Sequence, residues 1–363
     1  MIHKVGYIGF GGIARQYHFD TASRDDIPFE PVAVYEISEK ARQLAESKGL
    51  KAFDNLEEFL DSHLFDFVVV AVPNNHHCAM TCAALEAGYN VMCEKPVAMN
   101  MEELDKMIET AKRVGKLFTV HQNRRVDKDM LIVKRAINHG KIGKPFRIES
   151  RMHADDIGRQ EGWRGFANHG GGMYLDWGIH LLDQMIYMVG EKVKTVYANI
   201  HSIHSADVDD FANLLLTFES GLTAVVEVTT MAPVQLPRWA VWGDRGAVFV
   251  DHIFGNGARS RTVKNAVYED VKFDTYPIGS TKAVKRIKRT FFRDDEFEDI
   301  DYDDPTQPRE MIPQDWANIY KNIGKALDGE EELIVTPESV RHCFQVLLGA
   351  IESSKTGEVV HID

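Results

Sequence analysis

Val5-Gly6-Tyr7-Ile8-Gly9-Phe10-Gly11-Gly12-Ile13-Ala14 decides the fold. Val5 to Ile8 reads as a short apolar strand, and a helical segment follows Ala14 to about Thr21. Between them Gly9 to Ala14 has the form G-x-G-x-x-A. The first glycine permits a tight turn, the second lets backbone approach a pyrophosphate, and Ala14 allows close helix packing. The helix start then offers unpaired N–H groups and a positive dipole end to that phosphate. Alone, the same residues also suit a glycine-rich turn with no ligand, so the neighbouring chain has to decide.

Moving outward, Pro31 to Tyr35 is a second strand ending on Glu36, which lies 22 residues beyond Ala14. An acid at that distance accepts from ribose hydroxyls and repels a 2′-phosphate. With Ile37-Ser38 next and no arginine adjacent in sequence, the reading favours NAD over NADP. Ser38 caps the following helix and Gly49 closes it. Asp54 with Glu57 has the spacing of a capping box. Asp66 to Val72 is a nearly all-apolar strand, as a buried parallel sheet requires. A helix over 75–88 follows, then the strand Asn90 to Cys93, a helix begun by Asn100 with Glu103, and the strand Leu117 to Val120. The alternation predicts six strands in a doubly wound parallel sheet. Ligands bind such sheets beyond the carboxyl ends of the strands. Gly9 to Ala14, Glu36, Pro73-Asn74, Glu94-Lys95 and Gln122 all fall there.

Lys95 stands at a strand end where the nicotinamide of a dinucleotide would lie. Its ammonium can hold a substrate oxygen and stabilise developing alkoxide charge. A second chemical stretch is Gly170 to His180, a glycine turn feeding a helix start. Asp176 and His180 are four apart and share a helix face, and a carboxylate beside an imidazole can orient a hydroxyl and take its proton. An N-terminal helix acid and a packed histidine is the plainer alternative for that pair.

These residues together resemble the Gfo/Idh/MocA family, named for glucose–fructose oxidoreductase and inositol 2-dehydrogenase. The carrying stretches are Gly9 to Ala14, Pro73-Asn74-Asn75-His76-His77, Glu94-Lys95-Pro96, Asn123-Arg124-Arg125, Trp163-Arg164 and Gly170 to His180. The resemblance implies NAD(P)-dependent oxidation or reduction of sugars, polyols and related cyclic compounds, with Lys95, Asp176 and His180 as the catalytic set. Arg124 joins these three as a substrate-binding candidate. The implied cofactor set is Gly9, Phe10, Gly11, Gly12, Ile13, Glu36, Pro73, Asn74, His77, Glu94, Lys95, Gln122, Trp163 and Arg164. Whether His180 or Lys95 is the net base stays open. Two other readings use the same scaffold: an NAD-retaining enzyme that cleaves glycosides by elimination through a transient ketone, and a non-catalytic dinucleotide or sugar sensor.

The rest of the chain completes an α/β architecture. Residues 1–122 read as a Rossmann domain, and 123–363 as an α+β substrate and oligomerisation domain. Residues 129–139 read as a helix. Strand-like runs at 146–153, 195–203, 210–218, 222–229, 238–242 and 247–251 have only one helix among them, near Leu175, which predicts a large, mostly antiparallel open sheet. One face carries the Asp176 helix, and the other is expected to serve association into a dimer, tetramer or larger homo-oligomer. Lys282 to Arg293 is basic and Asp294 to Asp304 acidic, the pattern of a charge-complementary surface excursion or, alternatively, of a contact with a partner subunit. Residues 313–328 read as a helix, and the last helix, about 337–354, can pack back on the first domain.

Composition sets the outer bounds. The chain has 363 residues, 44% hydrophobic and 27% charged, which suits two globular domains. A net charge of −13 argues against a nucleic-acid partner. No apolar run reaches transmembrane length and no secretory pattern is present, so a cytoplasmic location is expected, with no membrane partner. Cys78, Cys82, Cys93 and Cys343 lack paired metal-ligand spacing, so reduced thiols and no metal are expected.

Overall fold

The computed structural model describes residues 1–140, 142–155 and 162–251, the strands at 259–263, 268–271, 284–287 and 297–299, and residues 316–363. Six parallel strands form the first sheet: β1 (His3–Ile8), β2 (Phe29–Tyr35), β3 (Lys51–Phe53), β4 (Phe67–Val70), β5 (Asn90–Cys93) and β6 (Phe118–Val120). Their order is β3-β2-β1-β4-β5-β6. Chain order reverses between β1 and β4, where a doubly wound sheet opens a crevice at its carboxyl edge. β4 is wholly buried, as a strand covered on both faces must be. The edge strand β3 is the one that the apolar pattern does not place individually; it is three residues long and has no fully buried residue.

The connections follow local chemistry. After β1 the chain forms a π-helical stretch, Ala14–Phe19, that runs into α1 (Asp20–Ala22). α2 (Glu39–Ser47) starts on Ser38, whose side chain accepts from Ala41 N–H. α3 (Leu56–Leu60) is capped by Asn55, which accepts from Glu58 N–H, so the expected Asp54 cap moves by one residue. Asn55 offers the same acceptor geometry as aspartate, which is why the pattern fits either position. α4 (His77–Glu86) follows β4 through a 3₁₀ turn, and α5 (Met101–Val114) is capped by Asn100 in a variant of the capping box whose return bond falls one residue earlier. There Asn100 accepts from Glu103 N–H, and the Glu103 carboxylate accepts from Met99 N–H.

The chain then passes through α6 (Lys128–Asn138) into the second sheet. Its strands are β7 (Pro145–His153), β8 (Val193–His201), β9 (Phe211–Phe218), β10 (Thr223–Thr229), β11 (Trp239–Gly243), β12 (Gly246–Val250), β13 (Arg259–Val263), β16 (Phe297–Asp299) and β17 (Val360–His361), while β14 (Tyr268–Val271) pairs apart with β15 (Val284–Ile287). The nine-stranded order is β16-β13-β12-β11-β7-β10-β9-β8-β17. β7 with β10 is the parallel pair; the other pairs are antiparallel. β9 alternates buried Ala212, Leu214, Leu216 and Phe218 with less buried neighbours, the signature of one covered face.

That covered face carries α6 on β11 and β12, α7 (Ile179–Val189) on β7 and β10, and α9 (Pro337–Thr356) on β8. α8 (Ala317–Leu327) packs near α1 and the turn after β6. α9 also packs on α5 and β6, where Arg341 makes a two-bond contact with Asp105. Thr336 caps α9 by accepting from Ser339 N–H, with Pro337 in the first turn. The basic and acidic stretches at 282–304 lie outside the described residues except for the backbone of β15 and β16. Among the described residues, no helix is long and apolar enough to cross a membrane.

Candidate active site

The glycine turn has the shape that its spacing implies. Gly9 has φ +90°, and a Cβ there would lie 2.6 Å from the Ala71 main-chain oxygen. A Cβ on Gly11 or Gly12 would meet nothing within 4 Å, so both face open space that a pyrophosphate can approach. Glu36 stands at the end of β2, where one carboxylate oxygen accepts from Phe10 N–H at 2.7 Å and the other from Ser38 N–H at 2.8 Å. The acid is therefore locked to the glycine turn, with further lone pairs left for ribose hydroxyls. An arginine absent from the adjoining sequence is present in space: Arg42 donates to the Glu36 and Ile37 carbonyl oxygens, each at 2.9 Å. It arrives from the first turn of α2, a distance in sequence that a local motif does not register.

A cleft of about 310 Å³ opens between the two sheets, lined by Lys95, Asp176, His180, Arg124, Trp163 and Arg164 among others. The three residues singled out as a catalytic set thus share one cavity, from β5's end and from the helix after the glycine turn. Lys95 Nζ donates to Asp176 Oδ1 and to the Asp176 carbonyl oxygen, both at 2.8 Å. Arg164 Nε lies 3.6 Å from the same carboxylate oxygen. The expected pairing of Asp176 with His180 is replaced by one between Asp176 and Lys95, because a nearby cation outcompetes a neutral ring for the carboxylate.

His180 is buried and stands against Trp177 at 6.0 Å between ring centroids. Burial, then the positive charges of Lys95 and Arg124, hold its pKa well below 6.5. The ring is neutral at pH 7, and its Nδ1 has no hydrogen-bond partner among the described residues. Arg124 is fixed by Asp127 at 3.1 Å and lies over the Trp177 ring at 4.1 Å. Behind it Arg125 is buried in a two-bond pair with Asp183.

Local backbone explains how the helix enters the site. Tyr174–Gly178 is π-helical and runs directly into α7. Such widened turns recur at functional sites because they re-aim side chains that a regular helix would align. Asp209 begins this helix from outside: its carboxylate accepts from Tyr174 N–H at 2.6 Å, and burial pushes its pKa up to about 6. At Gly171 a Cβ would collide with the Arg164 main-chain oxygen, so only glycine lets these two strands of loop meet. Asn74 closes the other side by donating to the Gly170 carbonyl oxygen at 2.9 Å.

The remaining expected cofactor residues divide. Ile13, Asn74, His77 and Glu94 line the cleft, whereas Gly9, Phe10, Gly11, Gly12, Glu36, Pro73 and Gln122 do not. The glycine turn and Glu36 form the separate cradle described above. Gln122 is buried outside the cleft wall. His77 lies with one ring nitrogen 2.8 Å from the Pro96 carbonyl oxygen and the other 2.9 Å from that of Val72, so it braces two loops. Glu94 is buried too: Oε1 lies 2.7 Å from both His18 Nε2 and His121 Nδ1, and Oε2 accepts from Lys95 N–H at 3.0 Å. In both side chains tertiary neighbours engage the polar atoms. Burial alone would raise the Glu94 pKa; the two histidines more than offset it and hold it well below 4.5. His18, Glu94 and His121 have the composition of a metal-ligand set, but their 2.7 Å separations are hydrogen-bond lengths. Tyr17, His121 and Trp316 also line the cleft, and no local motif marks them, whereas Trp177 comes with the Gly170 to His180 stretch.

Two family descriptions match this chain: "Oxidoreductase family, NAD-binding Rossmann fold" over residues 3–122, and "GFO/IDH/MocA C-terminal domain" over 130–249. The chain belongs to the Gfo/Idh/MocA oxidoreductase family. It is similar to myo-inositol 2-dehydrogenase of Thermotoga maritima, 30% identical over 263 residues that cover 69% of this chain and 75% of that protein. It is 34% identical over 206 residues to D-glucoside 3-dehydrogenase of Escherichia coli, covering 55% of this chain and 57% of that one. Among solved structures, an NAD-binding protein from Listeria innocua superposes with a TM-score of 0.83 at 33% identity, covering 99% of this chain and 97% of that one. As a Gfo/Idh/MocA member the chain is an oxidoreductase with an NAD-binding Rossmann domain, and the glycine cradle with Glu36 fits that dinucleotide.

Proposed function

We propose that the protein is an NAD-dependent dehydrogenase that oxidises a ring hydroxyl of a sugar, glycoside or cyclitol to a ketone. The observation that carries this reading is a neutral His180, its Nδ1 without a partner among the described residues, in one cleft with the Lys95–Asp176 pair. Relatives named for inositol and glucoside dehydrogenation support the substrate class. A secondary alcohol becoming a ketone loses a proton from oxygen and a hydride from carbon. The neutral His180 ring accepts the proton. Lys95 donates to the same oxygen and stabilises negative charge as it develops. Asp176, already turned to Lys95, accepts from a neighbouring hydroxyl and so fixes which ring carbon faces the cofactor. NAD, when bound, supplies the hydride acceptor. Arg124 and Arg164 complete a cationic wall suited to polyhydroxyl oxygen atoms.

The test is incubation of the protein with NAD and a panel of aldoses, glycosides and inositols, followed by NADH absorbance. NADH formation with at least one cyclic polyol is expected, with higher kcat/KM for NAD than for NADP. Glycoside cleavage without free cofactor would instead favour an NAD-retaining eliminating enzyme. Binding without turnover across the panel would overturn the dehydrogenase reading.

A further inference from the structure

The Glu94 triad serves more than packing. His121 follows directly on β6, and its main-chain N–H donates to the Cys93 carbonyl oxygen at 2.8 Å, so its position is tied to the end of β5. Its Nδ1 is held 2.7 Å from Glu94 Oε1. A carboxylate accepts only, so Nδ1 must carry the proton. In the neutral ring Nε2 is then an acceptor with a fixed direction. That atom is buried and has no partner among the described residues. His121 nevertheless lines the cleft, with the rings of Tyr17 and His18 tilted against it at 5.1 Å and 4.5 Å between centroids. With Nδ1 spent on Glu94, Nε2 is the one polar atom that this side chain can offer a ligand.

The sheet order says which end of the dinucleotide reaches it. Glu36 belongs to β2, on one side of β1, and marks the adenosine ribose. A bound pyrophosphate would meet the helix start after β1. The nicotinamide half would then extend across β4, β5 and β6, toward Lys95 and His121. We infer that His121 Nε2 accepts a hydrogen bond from the carboxamide NH₂ of the nicotinamide, with Glu94 fixing the tautomer and His18 and Tyr320 fixing Glu94. Tyr320 supports the far end, 2.6 Å from His18 Nδ1. This arrangement also explains a glutamate buried beside the site: it holds both the Lys95 main chain and the ring that orients the nicotinamide. The inference rests on the NAD-binding assignment and not on the substrate class.

The experiment uses the whole protein and needs no substrate. His121→Asn keeps a donor near the Nδ1 position for Glu94 and removes the Nε2 acceptor. Dissociation constants are measured for NADH, for ADP-ribose, which lacks nicotinamide, and for reduced 3-acetylpyridine adenine dinucleotide, which lacks the NH₂ donor. NADH affinity is expected to fall about tenfold, the scale of one hydrogen bond, with the other two ligands unchanged. A loss of about threefold or more confined to NADH supports the inference. A smaller loss, or one shared by either of the other ligands, overturns it. His121→Phe keeps the ring and drops both nitrogens, and decides by the same criterion should the asparagine variant fail to fold; melting temperature is recorded for both. Failure of sugar oxidation in the substrate panel would leave this result standing, and the reverse holds equally.

Discussion

Burial, with two cations beside it, sets the electrostatics of His180. Lys95 and Arg124 both add to the effect of burial, so the ring stays neutral far below its ordinary range. Arg124→Gln removes one of them and is expected to raise the His180 pKa toward 6.5, read by NMR titration of the imidazole. An unmoved titration would show that Arg124 does not govern the ring. In kcat/KM, the wild-type acidic limb belonging to His180 should lie below 6.5, and the variant's limb should move to higher pH. At this scale the sequence is informative where chemistry and backbone coincide. Lys95, Asp176 and His180 stand at strand and helix ends, where motif spacing speaks. Tyr17, His121 and Trp316 acquire their places through contacts between distant segments, and nothing in their neighbours along the chain marks them. His121 had one available signal: a histidine directly after the last strand of the parallel sheet.

At the scale of elements, the turn after β6 ties the two sheets together. Arg125 binds Asp183 of α7, the Ile334 carbonyl oxygen and Ser339 of α9, all from a nearly buried position. Arg125→Met leaves Asp183 buried without its cation. Thermal or urea unfolding should show a loss of about 3–5 kcal/mol. A loss under about 1 kcal/mol would mean that the pair contributes little beyond what an apolar side chain supplies. The parallel strands are legible because burial on both faces makes them continuous apolar runs, as in β4. The antiparallel strands are legible because one covered face makes them alternate, as in β9. The π-helical turn at Tyr174–Gly178 is not, since one extra residue in a helical turn leaves no trace in composition. It nonetheless lies within the chemistry, since it contains Asp176, whose carboxylate accepts from Lys95.

Across the whole molecule, three buried histidines share one consequence. Burial is the leading cause that lowers the pKa of His18, His77 and His180 from 6.5. The unfolded chain binds protons there that the fold excludes, so the stability these histidines contribute is complete above about 6.5 and is lost as pH falls. Glu94, held ionised, adds a further loss below 4.5. The melting temperature should fall steadily from about pH 7 to pH 5, and a constant value over that range would contradict the account. The outer face of the second sheet exposes Tyr197 and Leu215, paired across β8 and β9, with half-buried Trp242 and Phe249 farther along. We propose this face as the homo-oligomer interface, so light scattering should find a dimer or larger assembly and Leu215→Glu should release monomers. A monomeric wild type at micromolar concentration would remove that proposal. The central claim is that Lys95 acts on the reacting oxygen beside a neutral His180. Its most direct test is turnover by Lys95→Ala on the best substrate of the panel, with NADH affinity measured alongside. The account predicts a drop in kcat of roughly a hundred- to thousand-fold, with NADH binding retained. Turnover within about threefold of wild type would contradict it.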